Sequence, residues 1–248
     1  MSKSDNFIIY GRNPVEEALK NRPQEVNKIY IKNNLKPSAY FDINKLAEDY
    51  EVPLVKVPGS KIFNMVGKMN DQGILAQISA TKYTDFYEWV ETLVLSQNPA
   101  VLLLNGIEDP HNFGAILRSA AASGMEAVII PMQNQAPVNA TVYKTSAGTA
   151  GKIPIIRVHD LNQAFKDLKM TGFSIAALDG SAQKTVWEAD LEKPTAFLIG
   201  SEGEGIQSDV LKRCDSILKI PMHNDVESLN ASVSAALISY EWLRRKQG

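Results

Sequence analysis

The chain has 248 residues, 44% hydrophobic and 22% charged, with a net charge of −2, so neither a disordered chain nor a protein that coats nucleic acid non-specifically is indicated. No stretch approaches the roughly 18 consecutive apolar residues of a membrane helix, and the first residues lack an apolar signal core, which points to a cytoplasmic protein with no membrane partner. Cys214 is the only cysteine, and His111, His159 and His223 share no ligand spacing, so neither a disulfide nor a metal site is expected.

From the N-terminus, Phe7–Tyr10 reads as a short strand broken by Gly11. Asn13 then reads as a helix cap, with Pro14 at the first helical position and Glu16 closing a capping box. Val26–Lys32 alternates like a half-buried strand. A helix over Phe41–Tyr50, a strand over Pro53–Val57, a helix over Ser60–Lys68 and a strand over Ile74–Ser79 follow. This alternation predicts a small α/β domain over residues 1–80. That segment holds 11 Lys/Arg against 9 Asp/Glu, whereas residues 81–248 hold 15 against 19, so its slight basic excess permits an RNA-facing surface.

Residues 81–99 read as a joint, with Thr84 capping a short helix through Trp89, Val90 and Leu93. From Ala100 five strands are predicted, at Ala100–Leu104, Glu126–Ile130, Phe173–Leu178, Ala196–Ile199 and Ile217–Ile220. With helices between most of them, residues 100–248 read as an α/β domain whose mostly parallel sheet is covered on both faces. The last helix runs from Leu229 to about Arg245. Its stripe of Leu229, Val233, Ala236, Leu237, Tyr240 and Leu243 must bury against the domain, a partner subunit, or both.

Three polar junctions interrupt this pattern. In the first, the strand at Val101–Leu104 runs into Asn105, Glu108, Asp109 and Asn112, then into an apolar helix start that carries Arg118. That places the loop at the carboxyl end of a strand, where open α/β sheets hold ligands. The second, Ile199–Ile206, has three glycines that let backbone approach a ligand. Its spacing is not G-x-G-x-x-G, and Glu202 and Glu204 would repel a pyrophosphate, so a neutral or cationic ligand suits it better than a dinucleotide. In the third, Ile220–Ser232, Ser228 reads as the cap of the final helix. Asn230, a poor helix former just inside it, is expected there only if its amide has something to bind.

In this order the junctions resemble the three motifs of the SpoU/TrmH family of RNA ribose 2′-O-methyltransferases, within the SPOUT superfamily. The residues are Asn105…Asp109-Pro110-x-Asn112-x-Gly114-x-x-x-Arg118, Ile199-Gly200-x-Glu202-Gly203-x-Gly205, and Ile220-Pro221-Met222…Ser228-Leu229-Asn230-x-Ser232. Tyr10-Gly11-Arg12-Asn13-Pro14-Val15-x-Glu17-Ala18-Leu19 and Gln72-Gly73-Ile74-x-Ala76 resemble the small ribosomal-protein-like substrate-binding domain of the branch that methylates a 23S rRNA guanosine. Two departures are visible: Asp71 where that branch has histidine, and Asn224 where motif three has glycine. Asn tolerates positive φ best among non-glycine residues, so the second should leave the loop intact.

The resemblance implies a trefoil-knotted methyltransferase domain over 100–248, a homodimer formed through it, and S-adenosylmethionine as cofactor, leaving as S-adenosylhomocysteine. It implies cofactor contacts at Gly200, Glu202, Gly205, Ile220, Met222, Ser228 and Leu229, and a catalytic set of Asn112, Arg118, Glu202, Ser228 and Asn230. The implied substrate is a ribose 2′-hydroxyl of rRNA, with tRNA as the alternative within the family and a non-catalytic RNA-binding or assembly protein as the rival outside it. Two roles stand open for Arg118: general base, or cation that stabilises the developing alkoxide.

Overall fold

The computed structural model describes residues 7–69, 71–78, 83–201, 203–224 and 226–247, and contacts divide the chain into two compact units, 1–82 with 138–152 and 83–137 with 153–248. No helix among the described residues is long and apolar enough to cross a membrane.

The first unit begins with β1 (Phe7–Tyr10), α1 (Arg12–Asn21), β2 (Val26–Lys32), α2 (Phe41–Asp49), β3 (Leu54–Val57), α3 (Gly59–Val66) and β4 (Ile74–Ile78). Its sheet has the order β1-β4-β2-β3, with β4 antiparallel to both neighbours and β3 parallel to β2. Ile9, Ile29, Ile31, Ile74 and Ile78 are buried, as are Val15 and Leu19 of α1 and Ile43 of α2. Each such aliphatic contributes roughly 1.5–3 kcal/mol. The expected end of the last strand, Ser79, and the start of the joint at 81–82 lie outside the described residues.

The capping expectation for α1 is corrected. The helix starts one residue before Asn13, at Arg12, with Gly11 as its N-cap at φ 94. The Gln72 side chain accepts the Arg12 amide at 2.9 Å, which satisfies a free helix N–H without any capping side chain from the helix itself. Asp71 also has a structural role, its Oδ1 accepting the Gly73 amide at 2.6 Å in the turn before β4.

The second unit opens with α4 (Phe86–Val90), β5 (Ala100–Asn105), α5 (Pro110–Ser123) and β6 (Ala127–Pro131). The cap of α4 is Asp85, whose carboxylate accepts from Tyr87 and Glu88, and not Thr84, whose amide bonds the Ile155 carbonyl at 2.9 Å. The next helix, α6 (Ala140–Thr145), belongs to the first unit. There Tyr143 packs on Phe7 with ring centroids 5.7 Å apart, Lys144 lies 4.4 Å from the Tyr10 ring centroid, and Lys152 pairs with Glu17.

The second unit resumes with β7 (Ile155–Val158), α7 (Leu161–Thr171), β8 (Ser174–Leu178), β9 (Lys184–Thr185), β10 (Thr195–Gly200), α8 (Ser208–Leu211), β11 (Ser216–Lys219) and α9 (Ala231–Gln247). Seven parallel strands form one sheet in the order β7-β6-β5-β10-β8-β11-β9. Every residue of β6, and all but the last of β5 and β10, is buried, as a parallel sheet covered on both faces requires. Two strands were missed. Pro154 and the exposed Arg157 interrupt the apolar run of β7, and β9 has only two residues.

The final helix corrects the expected cap and narrows the expected stripe. Against its own domain it buries Ala231, Ala235, Ile238 and Trp242, whereas Val233 and Tyr240 of the predicted stripe are 46% and 50% exposed, so of the two alternatives the domain does not cover them. Both sets repeat at helical spacing, and the small alanines face inward where α9 lies against α5 and β10. Its cap is not Ser228 but Asn230, which sits before the first helical residue and accepts the Ser232 amide at 2.9 Å.

Candidate active site

The three junctions fall at the carboxyl ends of the central strands. A cavity of about 350 Å³ opens beyond β8, β10 and β11. Its walls include Gly200, Gly205, Ile220, Met222, Ser228 and Leu229, all the described members of the predicted cofactor set. Glu202 lies outside the described residues. Leu178, Asp179 and Gly180 at the end of β8 also line the cavity, as do Glu227 and Ser234. These were missed, although an Asp-Gly pair closing an apolar strand was a usable turn signal. Asp179 shapes that turn by accepting the Ser181 amide at 2.9 Å and its hydroxyl at 2.5 Å.

The second junction is a tight reversal. Ser201 and Gly205 exchange backbone hydrogen bonds of 3.2 Å, and Gly205 sits at φ +64. A Cβ on Gly200 would stand 2.6 Å from the Gly205 carbonyl carbon, so no side chain fits there. Asn224 of the third junction sits at φ 58, the left-handed conformation its identity allows.

A larger crevice of about 700 Å³ lies beside the first cavity. It is lined by the first junction, from Asn105 to Asp109, and by the carboxyl ends of β6 and β7. Ser201, Gly203, Glu204 and Gly205 line both, so the glycine loop is their common wall.

The first and third junctions are tied by one chain of hydrogen bonds. Asp109 caps α5, its Oδ1 accepting the His111 amide at 2.8 Å and its Oδ2 accepting Asn112 Nδ2 at 3.3 Å. Asn112 Oδ1 accepts Asn230 Nδ2 at 3.1 Å, and Asn230 Oδ1 accepts the Ser232 amide and, at 2.6 Å, its hydroxyl. A carboxylate only accepts, so Asp109 fixes which way the Asn112 amide points, and Asn112 in turn fixes Asn230. Asn230 thus does bind a partner, from the cap position.

Arg118 stands apart. It is exposed on α5, lines neither cavity, and among the described residues makes no ion pair or side-chain hydrogen bond. One helical turn before it, Ala115 belongs to a shallow apolar face shared with Ser119 and with Val233, Ala236, Leu237 and Tyr240 of α9. Cys214 is half-buried, and that burial, followed by the nearby Asp215, pushes its thiol up to about 11. An inert packing residue is the result.

Comparison with known proteins adds a consistent set of likenesses. Residues 99–240 match the SpoU rRNA methylase family and residues 8–84 match the RNA 2′-O ribose methyltransferase substrate-binding family. The 23S rRNA (guanosine-2′-O-)-methyltransferase RlmB of Xanthomonas campestris is 35% identical over 100% of both chains. A TrmH family tRNA/rRNA methyltransferase of Staphylococcus saprophyticus is 37% identical over 98% of this chain and 97% of its own. The SpoU methyltransferase AviRb of Streptomyces viridochromogenes, solved in complex with AdoMet, superposes with a TM-score of 0.81 at 22% identity, over 98% of this chain and 91% of that one.

Proposed function

The chain belongs to the SpoU rRNA methylase family, and on that footing we propose that it transfers the methyl group of S-adenosylmethionine to a ribose 2′-hydroxyl of structured RNA, a 23S rRNA guanosine above all. The observation that carries this reading is the cavity at the ends of β8, β10 and β11, walled by the second and third motifs together. Its chemistry suits the cofactor. Leu178, Ile199, Ile220 and Leu229 offer an apolar slot for a purine, Glu204 and Glu227 offer carboxylates for a cation, and Gly200 leaves backbone bare for close approach. A bound sulfonium supplies an activated methyl, so the protein has to position the hydroxyl, take its proton and steady the alkoxide.

In this reading Ser228 lies beside the methyl donor, and Asn112 and Asn230, locked by Asp109, orient the ribose. Arg118 comes from the second subunit of a homodimer. The apolar α5–α9 face that it borders is the proposed contact, and a residue lining neither cavity of its own chain is then free to complete the partner's site. A trefoil threading of the chain after the glycine loop belongs to the same proposal.

A second reading, tRNA as the substrate, follows from the name of the Staphylococcus relative. Mapping 2′-O-methylation across rRNA and tRNA in a strain lacking this protein decides between the two. Loss of no methyl group from either RNA would refute the activity. Subunit mixing tests the shared site. Equal amounts of inactive R118A and S228A chains should recover about a quarter of parental activity, because half the dimers are mixed and each has one intact site. No recovery would place Arg118 in its own chain's site. A pH–rate profile of Arg118→Lys separates base from alkoxide stabiliser: full activity with an unchanged profile would eliminate the base role.

A further inference from the structure

The first unit separates its charges. All but one of its described carboxylates sit on α1, α2 and the adjoining turns, where the cations of α1 and the turn after it pair with them: Arg12 with Asp42 at 2.8 Å, Lys20 with Glu16 at 2.7 Å and Arg22 with Glu25 at 3.2 Å. The exception is Asp71 in the turn before β4, whose Oδ1 accepts the Gly73 amide at 2.6 Å. Residues 26–40 and 54–69 instead hold six lysines, Lys28, Lys32, Lys36, Lys56, Lys61 and Lys68, and no carboxylate. Because β3 pairs with β2 and leads directly into α3, these two stretches form one continuous part of the unit. Among the described residues none of the six lysines forms an ion pair.

Aromatic rings take the place of anions. Lys28, Tyr30 and Lys32 alternate along β2 and so share one face of the sheet. Lys28 and Lys61 lie 6.0 and 5.8 Å from the centroid of the Tyr30 ring, and the Tyr30 hydroxyl donates to Gln77 Oε1 at 3.3 Å. Phe63 on α3 and Met69 just beyond it are 57% and 53% exposed. Two ammonium groups around the half-buried Tyr30 ring, with no carboxylate on these stretches, favour an incoming anion, and the exposed flat ring of Phe63 favours a stacked base.

We propose that the β2–α3 face of the first unit holds an unpaired, looped segment of the RNA substrate. Lys28, Lys32 and Lys61 bind its phosphates, and Phe63 provides a platform on which a base stacks. An acidic protein surface would use the lysines but has no base to place on the Phe63 ring, so RNA is the occupant these residues favour. The inference rests on the reading of the chain as an RNA methyltransferase and adds where, and in what form, the RNA is held.

The test uses the full-length protein with an rRNA fragment it methylates. The K28Q/K32Q/K61Q variant keeps the side-chain stems and removes three charges. It should lower the slope of log affinity against log salt by about 2, at roughly 0.7 per single-strand phosphate contact, and raise the KM for RNA about tenfold or more. Its kcat and S-adenosylmethionine affinity should match the parent's. Phe63→Ala should raise the RNA KM about tenfold with the salt slope unchanged. K20Q/K45Q, on the acidic helices, is the control and should behave as the parent.

A patch variant with the parental slope and KM overturns the inference while leaving methyl transfer standing. So does an equal loss in the K20Q/K45Q control, or loss of binding to an acidic protein with RNA binding intact. A parent protein that neither binds nor methylates RNA overturns both the inference and the reading beneath it.

Discussion

Gly200→Ala is the sharpest probe of the glycine loop. The new Cβ would stand 2.6 Å from the Gly205 carbonyl carbon, 2.7 Å from its oxygen and 2.8 Å from Ile206 Cγ1. Carbon atoms in contact sit at about 3.5–4.0 Å, so something must move by about 1 Å. Strand β10 cannot, because Gly200 is paired in register with Asn105 of β5. The loop from Ser201 to Gly205 therefore has to shift, and it is the wall shared by the cavity proposed for the cofactor and the crevice beside it. A misplacement of that size costs about a hundredfold in a positioned reaction. S-adenosylmethionine affinity by calorimetry and methyl transfer to RNA should fall by about that factor, with the melting temperature lowered by less than about 10 °C. Gly203→Ala is the control in the same loop, since a Cβ there meets nothing within 4 Å. Binding and turnover of Gly200→Ala within threefold of the parent would refute the argument that this backbone approach builds the cavity.

Asn112→Asp would set a second carboxylate against Asp109, where the present contact is 3.3 Å, and would remove the donor that ties residue 112 to Asp109. It would still accept from Asn230, so the chain is cut at its first bond. We expect methyl transfer to fall at least tenfold with little change in cofactor affinity, measured by steady-state kinetics and calorimetry. Glu241, buried on α9 between Arg244 and Arg245, has its carboxyl held below the ordinary value of 4.5 by the hydrogen bond from Arg244 and then that from Arg245. Its contribution is therefore present above the unfolded carboxylate pKa and disappears as pH falls through the folded one. Glu241→Gln should melt lower than the parent at pH 7, and the gap should close on acidification below 4.5 in a series of thermal melts. With its thiol pushed up to about 11 from 9.0, Cys214 should alkylate about a hundredfold more slowly than a free cysteine at pH 8, and Cys214→Ala should retain full activity.

Fold was legible wherever one physical signal dominated. Continuous apolar runs such as Val101–Leu104 marked strands buried on both faces, and all five predicted strands of the second unit are present. The signal was ambiguous where two patterns competed. In α9, Ala231, Ala235, Ile238 and Trp242 repeat with the same period as Val233, Ala236, Leu237 and Tyr240, and bulk alone favoured the second set. Packing chose the first because α9 lies close to α5, which small residues permit. Cap positions failed for a related reason. Gln72 serves the start of α1 from sixty residues away, and no local pattern could announce it.

The site shows the same division between local and long-range causes. Glycines at 200 and 205 were readable because each answers a backbone demand, one steric and one a positive φ. The use of Asp109 was not, because it depends on Asn230, more than a hundred residues on, meeting Asn112 in space. That meeting bears on Arg118. Asn112 and Arg118 are six residues apart on one helix, and at about 100° per residue they point some 120° apart around it. Asn112 faces the third junction, so Arg118 faces elsewhere, next to the apolar stripe that α9 leaves exposed. A motif that holds both residues therefore serves two directions from about 1.7 turns of helix, which is what the proposed shared site requires: a ribose oriented in one subunit's site and a cation supplied to its partner's.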